Sequence, residues 1–366
     1  MKKKLLVFHP AIAPYRIDLF NSLNEYFDSS ICLFSHNLGP FNQFKENSIS
    51  SQLHFKPIYR DDIVIGKNSL FKRVLFTLKM LAKSDFDLVM GWECGITTVI
   101  IVLYKLLFRK KFKIINIIDD SFDMLNGNQF SKKHALAEKI LIPFMQEIIS
   151  VEPKSTDYFK NRFKKGFYFP IIQDENRLLR RLNDSQKKSF ELSDRYQLKN
   201  KKVLLFVGRL VALKNIDKVI SIVNELKYDN IKFVIVGNGP CEAEWKNCAG
   251  SNSEIIFLGR KEGDELYAWY NLADWFILPS YREAFGAVTN EALIAGCKCL
   301  VSKKAGSASL INEGINGYTF DPLDVMDMKK KIRMAFEEPV SKERHNNMLF
   351  SFKSKMNALL TRMNEL

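Results

Sequence analysis

Histidine is scarce, with five in 366 residues, and no two of them stand at metal-ligand spacing. Cysteine is little used: Cys32, Cys94, Cys241, Cys248, Cys297 and Cys299 are scattered. The nearest pair, Cys297 and Cys299, has no zinc spacing, so a zinc module is excluded and no metal is expected. Six dispersed thiols read as reduced residues of a cytosolic protein. Long apolar runs are missing too. The longest, Ile96–Phe108, has thirteen residues including Lys105, too few to span a bilayer. The opening Met1-Lys2-Lys3-Lys4-Leu5-Leu6-Val7-Phe8 imitates a secretion signal. Its apolar part stops at His9-Pro10, which suits a first buried strand instead. After that strand His9-Pro10-Ala11 stands where a dinucleotide oxidoreductase needs Gly-x-Gly-x-x-Gly. Low-complexity segments and short repeats are absent as well.

What is present is a chain 46% apolar and 366 residues long, enough for two domains with separate cores. The net charge of +14 favours an anionic partner or reflects a lysine-rich surface. A nucleic-acid binder would interleave aromatics with cations or carry a known module, and neither is seen, so no nucleic acid is expected. Short apolar runs alternate with amphipathic stretches. Leu5–Phe8, Ser30–Phe34, Leu88–Met90, Lys113–Ile118 and Glu147–Val151 read as strands. The pattern restarts with Val203–Val207, Lys232–Val236, Ile255–Leu258, Trp275–Leu278 and Cys299–Val301. Helical patterns at Tyr15–Tyr26, Ser69–Lys83, Ile96–Leu107, Lys132–Gln146, Ile216–Leu226, Gly263–Asn271 and Val288–Ala295 argue for parallel sheets with crossover helices. A linker is placed near residues 170–175, after Phe169-Pro170-Ile171-Ile172, with a polar, charged stretch from Gln173 to Lys202 behind it. The expected domains are 1–172, joined by a closing amphipathic helix of about 342–366, and 173–341.

Three elements in the second half carry chemistry. In Val207-Gly208-Arg209-Leu210, with Lys214 five residues beyond Arg209, two cations follow a strand end. Ligands of open α/β sheets sit beyond such ends, and Arg and Lys together suit a diphosphate. Alone, the run equally describes solvated cations near a turn. Gly237-Asn238-Gly239 is a Gly-rich turn after the next strand, open to close ligand approach or simply a turn. Gly259 and Arg260 end another strand, where a base can lie against the backbone. In Pro279-Ser280-Tyr281-Arg282-Glu283-Ala284-Phe285-Gly286-Ala287-Val288-Thr289-Asn290-Glu291, a loop acid precedes a helix with a second acid inside it. The helix start offers free amides to a diphosphate, Glu283 can bind sugar hydroxyls, and Glu291, about a turn and a half in, can accept from a ribose diol. Taken singly, each acid is also an ordinary surface residue.

Taken together, these residues resemble the family 4 glycosyltransferases of the two-domain GT-B fold. Their pattern is Gly-Arg-Leu-x3-Lys, a Gly-x-Gly turn, Pro-Ser-x2-Glu-x-Phe-Gly, and a second Glu. Gly208-Arg209-Leu210, Lys214, Gly237, Gly239, Pro279-Ser280, Glu283, Phe285-Gly286 and Glu291-Ala292 follow it in order and spacing. Ala305-Gly306-Ser307 and Asn316-Gly317 are similar to its later turns. Phe169-Pro170-Ile171-Ile172-Gln173-Asp174 looks like its domain junction without the Asn and Gly. The likeness is strong over about 203–322. It implies two Rossmann-like parallel-sheet domains facing across a cleft, and metal-independent retaining transfer from a UDP- or GDP-sugar, with no cofactor. By that resemblance Arg209 and Lys214 stabilise the departing diphosphate, and Glu283 with the Phe285/Gly286 backbone holds the donor sugar. Glu291 holds the ribose, and Gly208, Gly237, Asn238, Gly239, Arg260, Ala287 and Val288 complete the donor site. The sugar would be a hexose or N-acetylhexosamine, and the acceptor a saccharide or lipid-linked saccharide of bacterial surface polysaccharide: capsule, O-antigen or lipopolysaccharide. Ala284 departs from the Gly of many members, which is tolerable unless the position needs positive φ. Rival readings are an epimerase or phosphorylase of the same fold; a phosphorylase would be longer and carry a pyridoxal-phosphate lysine motif. The nonenzymatic rival is a basic nucleic-acid-binding protein.

The first half matches loosely. Pro14-Tyr15-Arg16 resembles a variant found in some cell-surface polysaccharide transferases. Arg16 is expected in the first turn of the helix Tyr15–Tyr26, facing an acceptor anion or plain solvent. Trp92-Glu93 and Asp119-Asp120 follow strands, and Asp120 is the preferred contact for an acceptor hydroxyl, with a capped loop as the alternative. Asp119-Asp120 stands near where many members have His, so a histidine-based role there is not carried over. In Ser69–Lys83, Lys72, Lys79 and Lys83 are expected opposite Leu70, Val74, Leu78 and Leu81. Such a helix, with further cation clusters at Arg109-Lys110-Lys111-Lys113 and Lys160-Arg162-Lys164-Lys165, suits an anionic membrane surface or is an ordinary crossover helix with solvated lysines. The expected location is cytoplasmic, peripheral on the inner face of the cell membrane.

Overall fold

The computed structural model describes residues 1–34, 49–60, 69–126, 132–339 and 345–366. They form two units: Met1–Gln173 with Phe352–Leu366, and Asp174–Ser351.

The first unit is wound on a seven-stranded parallel sheet. In chain order its elements are β1 (Lys4–His9), α1 (Ile17–Tyr26), β2 (Asp28–Leu33), β3 (Ile58–Tyr59), α2 (Ser69–Ala82), β4 (Leu88–Trp92) and α3 (Ile96–Leu107). Then follow β5 (Lys113–Ile118), α4 (Phe122–Asn126), α5 (Lys132–Leu141), β6 (Glu147–Ser150), α6 (Pro153–Phe163) and β7 (Phe167–Tyr168). The strand order is β3-β2-β1-β4-β5-β6-β7. Val7 pairs with Ile31 on one side and Met90 on the other. Helices cover both faces of such a sheet, so central strands such as β5 are apolar without alternation.

The second unit repeats the plan with six strands. It begins with α7 (Glu175–Asp184) and α8 (Gln186–Arg195), then β8 (Lys202–Val207), α9 (Ile216–Leu226), β9 (Ile231–Val236), α10 (Glu242–Ala249), β10 (Ile255–Gly259) and α11 (Gly263–Leu272). It continues with β11 (Trp275–Leu278), α12 (Val288–Ile294), β12 (Lys298–Ser302), β13 (Gly317–Phe320) and α13 (Val325–Glu337). The order β10-β9-β8-β11-β12-β13 is again a doubly wound sheet. Chain direction across it reverses between β8 and β11, as it does between β1 and β4 in the first unit. These are the switch points where open α/β sheets bind ligands.

Several expectations need correcting. The polar stretch 173–202, behind the expected linker, holds α7 and α8, which the sequence reading missed and which pack on α11. The Asp174 side chain caps α7 by accepting from the Asn176 and Arg177 amides at 2.9 and 3.1 Å. The Asp324 carboxylate does the same for α13. The closing helix, α14, runs Phe352–Glu365 and starts about ten residues later than expected. Residues 340–344, where the expected helix would have begun, lie outside the described residues, and 345–350 are not helical. This helix returns to the first unit, where Arg362 Nε donates to the buried Glu147 carboxylate at 2.7 Å.

Candidate functional site

In the second unit, the loops after β8 and β11 meet at the switch point. The chain leaves β8 through Gly208 and the exposed Arg209, then buries Leu210 and makes a 3-10 turn at Ala212–Lys214. Asn215 follows with φ +56°, a left-handed conformation that Asn tolerates. Its buried side-chain amide donates to the Pro279 and Pro322 carbonyls at 3.2 Å each. The Tyr281 amide donates to the Leu213 carbonyl at 2.9 Å. These bonds fix the Lys214 turn against the β11 loop, and Lys214 forms an ion pair with Glu283. No ion-pair partner faces Arg209 among the described residues.

The Glu283 loop is held from its other side. Its amide donates to the Lys304 carbonyl at 3.2 Å, and the Ser307 amide donates to the Phe285 carbonyl at 2.8 Å. Ser307 Oγ also meets Thr289 Oγ at 2.9 Å inside α12. Ala287 is the N-cap residue of α12 and Val288 its first residue, with no side chain capping the free amides. Ala284 is not among the residues with positive φ, so the side chain there is unstrained. Glu291 sits in the first turn of α12, earlier than expected. Its carboxylate accepts from the buried Tyr270 hydroxyl at 2.9 Å. Burial and the Glu291 charge both push the Tyr270 hydroxyl well above its ordinary pKa, so it stays a donor.

Gly237 and Gly239 serve the backbone itself. The Leu210 amide donates to the Asn238 carbonyl at 2.9 Å. A Cβ on Gly237 would overlap the Gly208 carbonyl oxygen, and one on Gly239 the Leu210 carbonyl oxygen. Gly237 also has φ +146°. The two loops thus approach more closely than side chains permit. Asn238 is exposed, and Arg260 pairs with Glu262 at the surface.

In the first unit, the ends of β1, β4 and β5 gather His9, Arg16, Trp92, Glu93, Asp119 and Asp120. Arg16 is not in the first turn of α1. It ends a 3-10 turn, Pro14–Arg16, and is 2% exposed. Its guanidinium pairs with Asp119, so it is neither a free surface cation nor open to an anion. Pro14 and Tyr15 in the same turn are half-buried. Trp92 Nε1 donates to the other Asp119 oxygen at 3.1 Å. Burial alone would raise the Asp119 pKa, but the Arg16 charge and the Trp92 donor outweigh it and hold the carboxyl below its ordinary value.

Glu93 has φ +52°, an unusual backbone for a side chain of this size. One of its oxygens accepts from the Asp119 amide at 2.9 Å. Burial, then the Asp120 and Asp119 charges, raise the Glu93 pKa well above the ordinary carboxyl range. Asp120 is buried, 8% exposed, and faces Glu93. His9 is buried between the rings of Phe20 and Trp92, with centroids at 5.1 and 5.7 Å. Burial and the nearby Arg16 lower its pKa to about 4. Neutral His9 then donates from Nδ1 to the Ala11 carbonyl at 2.7 Å, which leaves Nε2 as a buried acceptor.

The sequence reading missed His9, Asn215 and the pairing of Arg16 with Asp119. Only Asn215, an αL-tolerant residue just before a helix, left a local signal. Among the described residues, no group of three His, Cys, Asp or Glu is arranged to hold a metal ion.

Comparisons with known proteins place this geometry. Residues 189–348, within the second unit, match the model of the family described as glycosyl transferases group 1. A GDP-mannose-dependent alpha-mannosyltransferase of Corynebacterium glutamicum is 34% identical over 148 residues, 40% of this chain and 34% of that protein. A lipopolysaccharide 1,2-N-acetylglucosaminetransferase of Salmonella typhimurium is 33% identical over 157 residues, 39% of this chain and 40% of that protein. The chain spans about a third of the length of the first curated relatives it matches. Anabaena HepE, solved with UDP and glucose, superposes over 100% of both chains with TM-score 0.75 and 17% identity. Both sheets thus have the architecture of the GT-B glycosyltransferase fold, and the segment that carries Arg209, Lys214, Glu283 and Glu291 is the one that matches glycosyl transferases group 1.

Proposed function

We propose that this chain is a retaining glycosyltransferase of the family 4 type, moving a hexose or N-acetylhexosamine from a UDP- or GDP-sugar to a saccharide or lipid-linked acceptor. The observation that carries the reading is the Lys214–Glu283 pair, fixed at the switch point of the second unit beside the exposed Arg209. In the ligand-free chain Lys214 rests on Glu283. A donor diphosphate offers Lys214 a denser charge and frees Glu283 for sugar hydroxyls. The bond from the anomeric carbon to the phosphate oxygen breaks, and the diphosphate keeps the electron pair. Arg209 and Lys214 stabilise that growing charge, in the place a metal would take. The acceptor oxygen bonds the anomeric carbon on the same face, and its proton goes to a phosphate oxygen. Gly208, Gly237, Asn238, Gly239, Arg260, Phe285, Gly286, Ala287 and Val288 line the donor, and Glu291 holds the ribose with Tyr270 bracing it. The first unit supplies acceptor contacts through Pro14, Tyr15, Trp92, Glu93 and Asp120, while Arg16 only holds Asp119 in place.

The setting is bacterial surface polysaccharide synthesis, with the protein cytoplasmic and peripheral on the inner membrane face. The Salmonella lipopolysaccharide relative supports that setting. A thermal-shift panel of sugar nucleotides, followed by nucleotide-release assays, tests the reading. One UDP- or GDP-sugar should stabilise the chain, and release should persist in excess EDTA. If no sugar nucleotide binds, the reading fails; if release stops in EDTA, its metal independence fails.

A further inference from the structure

Right-handed crossovers put α2, α3 and α5 on one side of the first sheet, packed on each other in that order. Their inner sides join one core through Met80, Leu81, Ile101 and Leu141. Their outer sides are unusual. Leu103 is half exposed, Leu107 is 74% exposed and Phe108 is 61% exposed at the end of α3. Phe71 and Leu75 on α2 and Ile140 on α5 are exposed on the same layer. Val74, Leu78 and Leu81 face the core opposite the exposed Lys72, Lys79 and Lys83, as the pattern suggested, but Leu70 is exposed, and the open face of α2 also carries Phe71 and Leu75.

The charge on this layer is mostly of one sign, with exposed Asp85 paired to Lys110. Residues 69–84 and 96–118 contain no Asp or Glu, and the one acid of α5, Glu138, is buried. Exposed cations surround the apolar residues: Lys72, Arg109, Lys111 and Lys139. Asp85 answers only Lys110, so a second copy docked by two-fold symmetry would set an excess of cations against cations. An anionic bilayer answers both features, since acyl chains accept the leucines while the long basic side chains reach phosphates. No helix among the described residues is long and apolar enough to cross a membrane, so the contact is interfacial.

We infer that the outer face of α2, α3 and α5 lies on an anionic bilayer, with the turn Leu106–Phe108 inserted among acyl chains and Arg109 and Lys111 at headgroup depth. This names the surface and mode of the peripheral attachment proposed above, on which it rests, and it does not depend on the transfer reaction. The full chain should sediment with phosphatidylglycerol-containing vesicles, bind phosphatidylcholine vesicles weakly, and stay partly bound in about 0.5 M NaCl, where electrostatic attraction is screened. The double variant Leu107→Asp/Phe108→Asp should lose at least about tenfold in partitioning, with an unchanged thermal midpoint. Phe108→Trp should gain quenching by bromine-labelled acyl chains over the wild type. Absence of wild-type binding at low salt defeats attachment altogether. If the aspartate variant binds as wild type while Lys72→Ala/Lys79→Ala does not, attachment stands and insertion falls. A wild-type dimer that Leu107→Asp dissolves would make the face an interface between copies and overturn the inference.

Discussion

The two units place charged residues at the same topological position and treat them in opposite ways. In the second unit the ends of β8 and β11 present Arg209 to solvent and leave the Lys214–Glu283 pair partly exposed, on loops tied to each other by backbone bonds. In the first, the ends of β1, β4 and β5 bury Arg16 and His9 and half-bury Asp119 and Glu93. They pair Arg16 with Asp119, while His9 Nε2 and one Glu93 oxygen meet no hydrogen-bond partner among the described residues. One fold plan therefore yields a strand-end cluster with an exposed cation beside a partly exposed ion pair, and another whose central cation is buried against its partner. Substitutions should separate the two: loss of a charge partner costs stability in the first unit and turnover in the second.

The largest effect belongs to Asp119→Ala. It leaves the buried Arg16 guanidinium uncompensated and strips the Trp92 indole of its acceptor. Breaking a buried pair by removing one partner costs about 3–5 kcal/mol. Chemical denaturation of the full chain should show that loss in the transition of the first unit. A loss under about 1 kcal/mol would mean that Arg16 reaches water, and the contrast between the units would vanish. Lys214→Ala is the counterpart. Turnover should fall about 10²–10³-fold, as for loss of one donor to developing charge. The thermal midpoint should hold, because a partly exposed pair contributes about 1 kcal/mol or less. Arg209→Ala should behave alike. Unchanged turnover in either variant removes the diphosphate role.

The contrast also explains what could be read before folding. The second site was legible because it is local: Gly208-Arg209, Gly237-x-Gly239 and Glu283 to Glu291 each occupy one loop, and close backbone approach demands glycine at fixed spacing. Both sheets were legible because parallel strands are apolar on both faces. The first site was not, because its logic is pairing across the sheet. Nothing near Arg16 announces that a residue a hundred positions later will neutralise it. Likewise His9 looked like the end of a strand, and only burial between Phe20 and Trp92 gives it a role. The helices α7 and α8 went unread although Leu178, Leu182 and Leu192 mark an apolar stripe, which the structure packs on α11.

His9 sharpens the comparison through pH. Its folded pKa of about 4 lies below the ordinary 6.5. The unfolded chain therefore binds more protons between those values, and stability from neutral His9 is complete above about pH 6.5 and lost as pH falls toward 4. The shift corresponds to roughly 3 kcal/mol across that window. Glu93 acts with the opposite sign, since its raised pKa lets the folded chain take up a proton first as pH falls. The two are separated by comparing wild type with His9→Gln, which keeps Glu93. Denaturation at a series of pH values should show the variant losing less stability than wild type from pH 6.5 to 4. Parallel curves would show that His9 titrates as it does in water.

The smallest effect is expected at Ala284, where the sequence departs from the glycine its resemblance suggests. If that loop needed a left-handed residue, Ala284 would be strained and Ala284→Gly would stabilise the chain. Ala284 does not have positive φ, so glycine relieves nothing there. It only gives the unfolded chain more freedom, which costs about 0.4–1 kcal/mol. The Glu283 and Phe285 backbone is already tied to Lys304 and Ser307, so the site should keep its geometry. Turnover of Ala284→Gly should stay within about twofold of wild type, with a slightly lower thermal midpoint. A clear gain in turnover would mean that the Glu283 loop adopts another backbone when the donor binds, and that the second unit is less preformed than its bonds to the neighbouring loops imply.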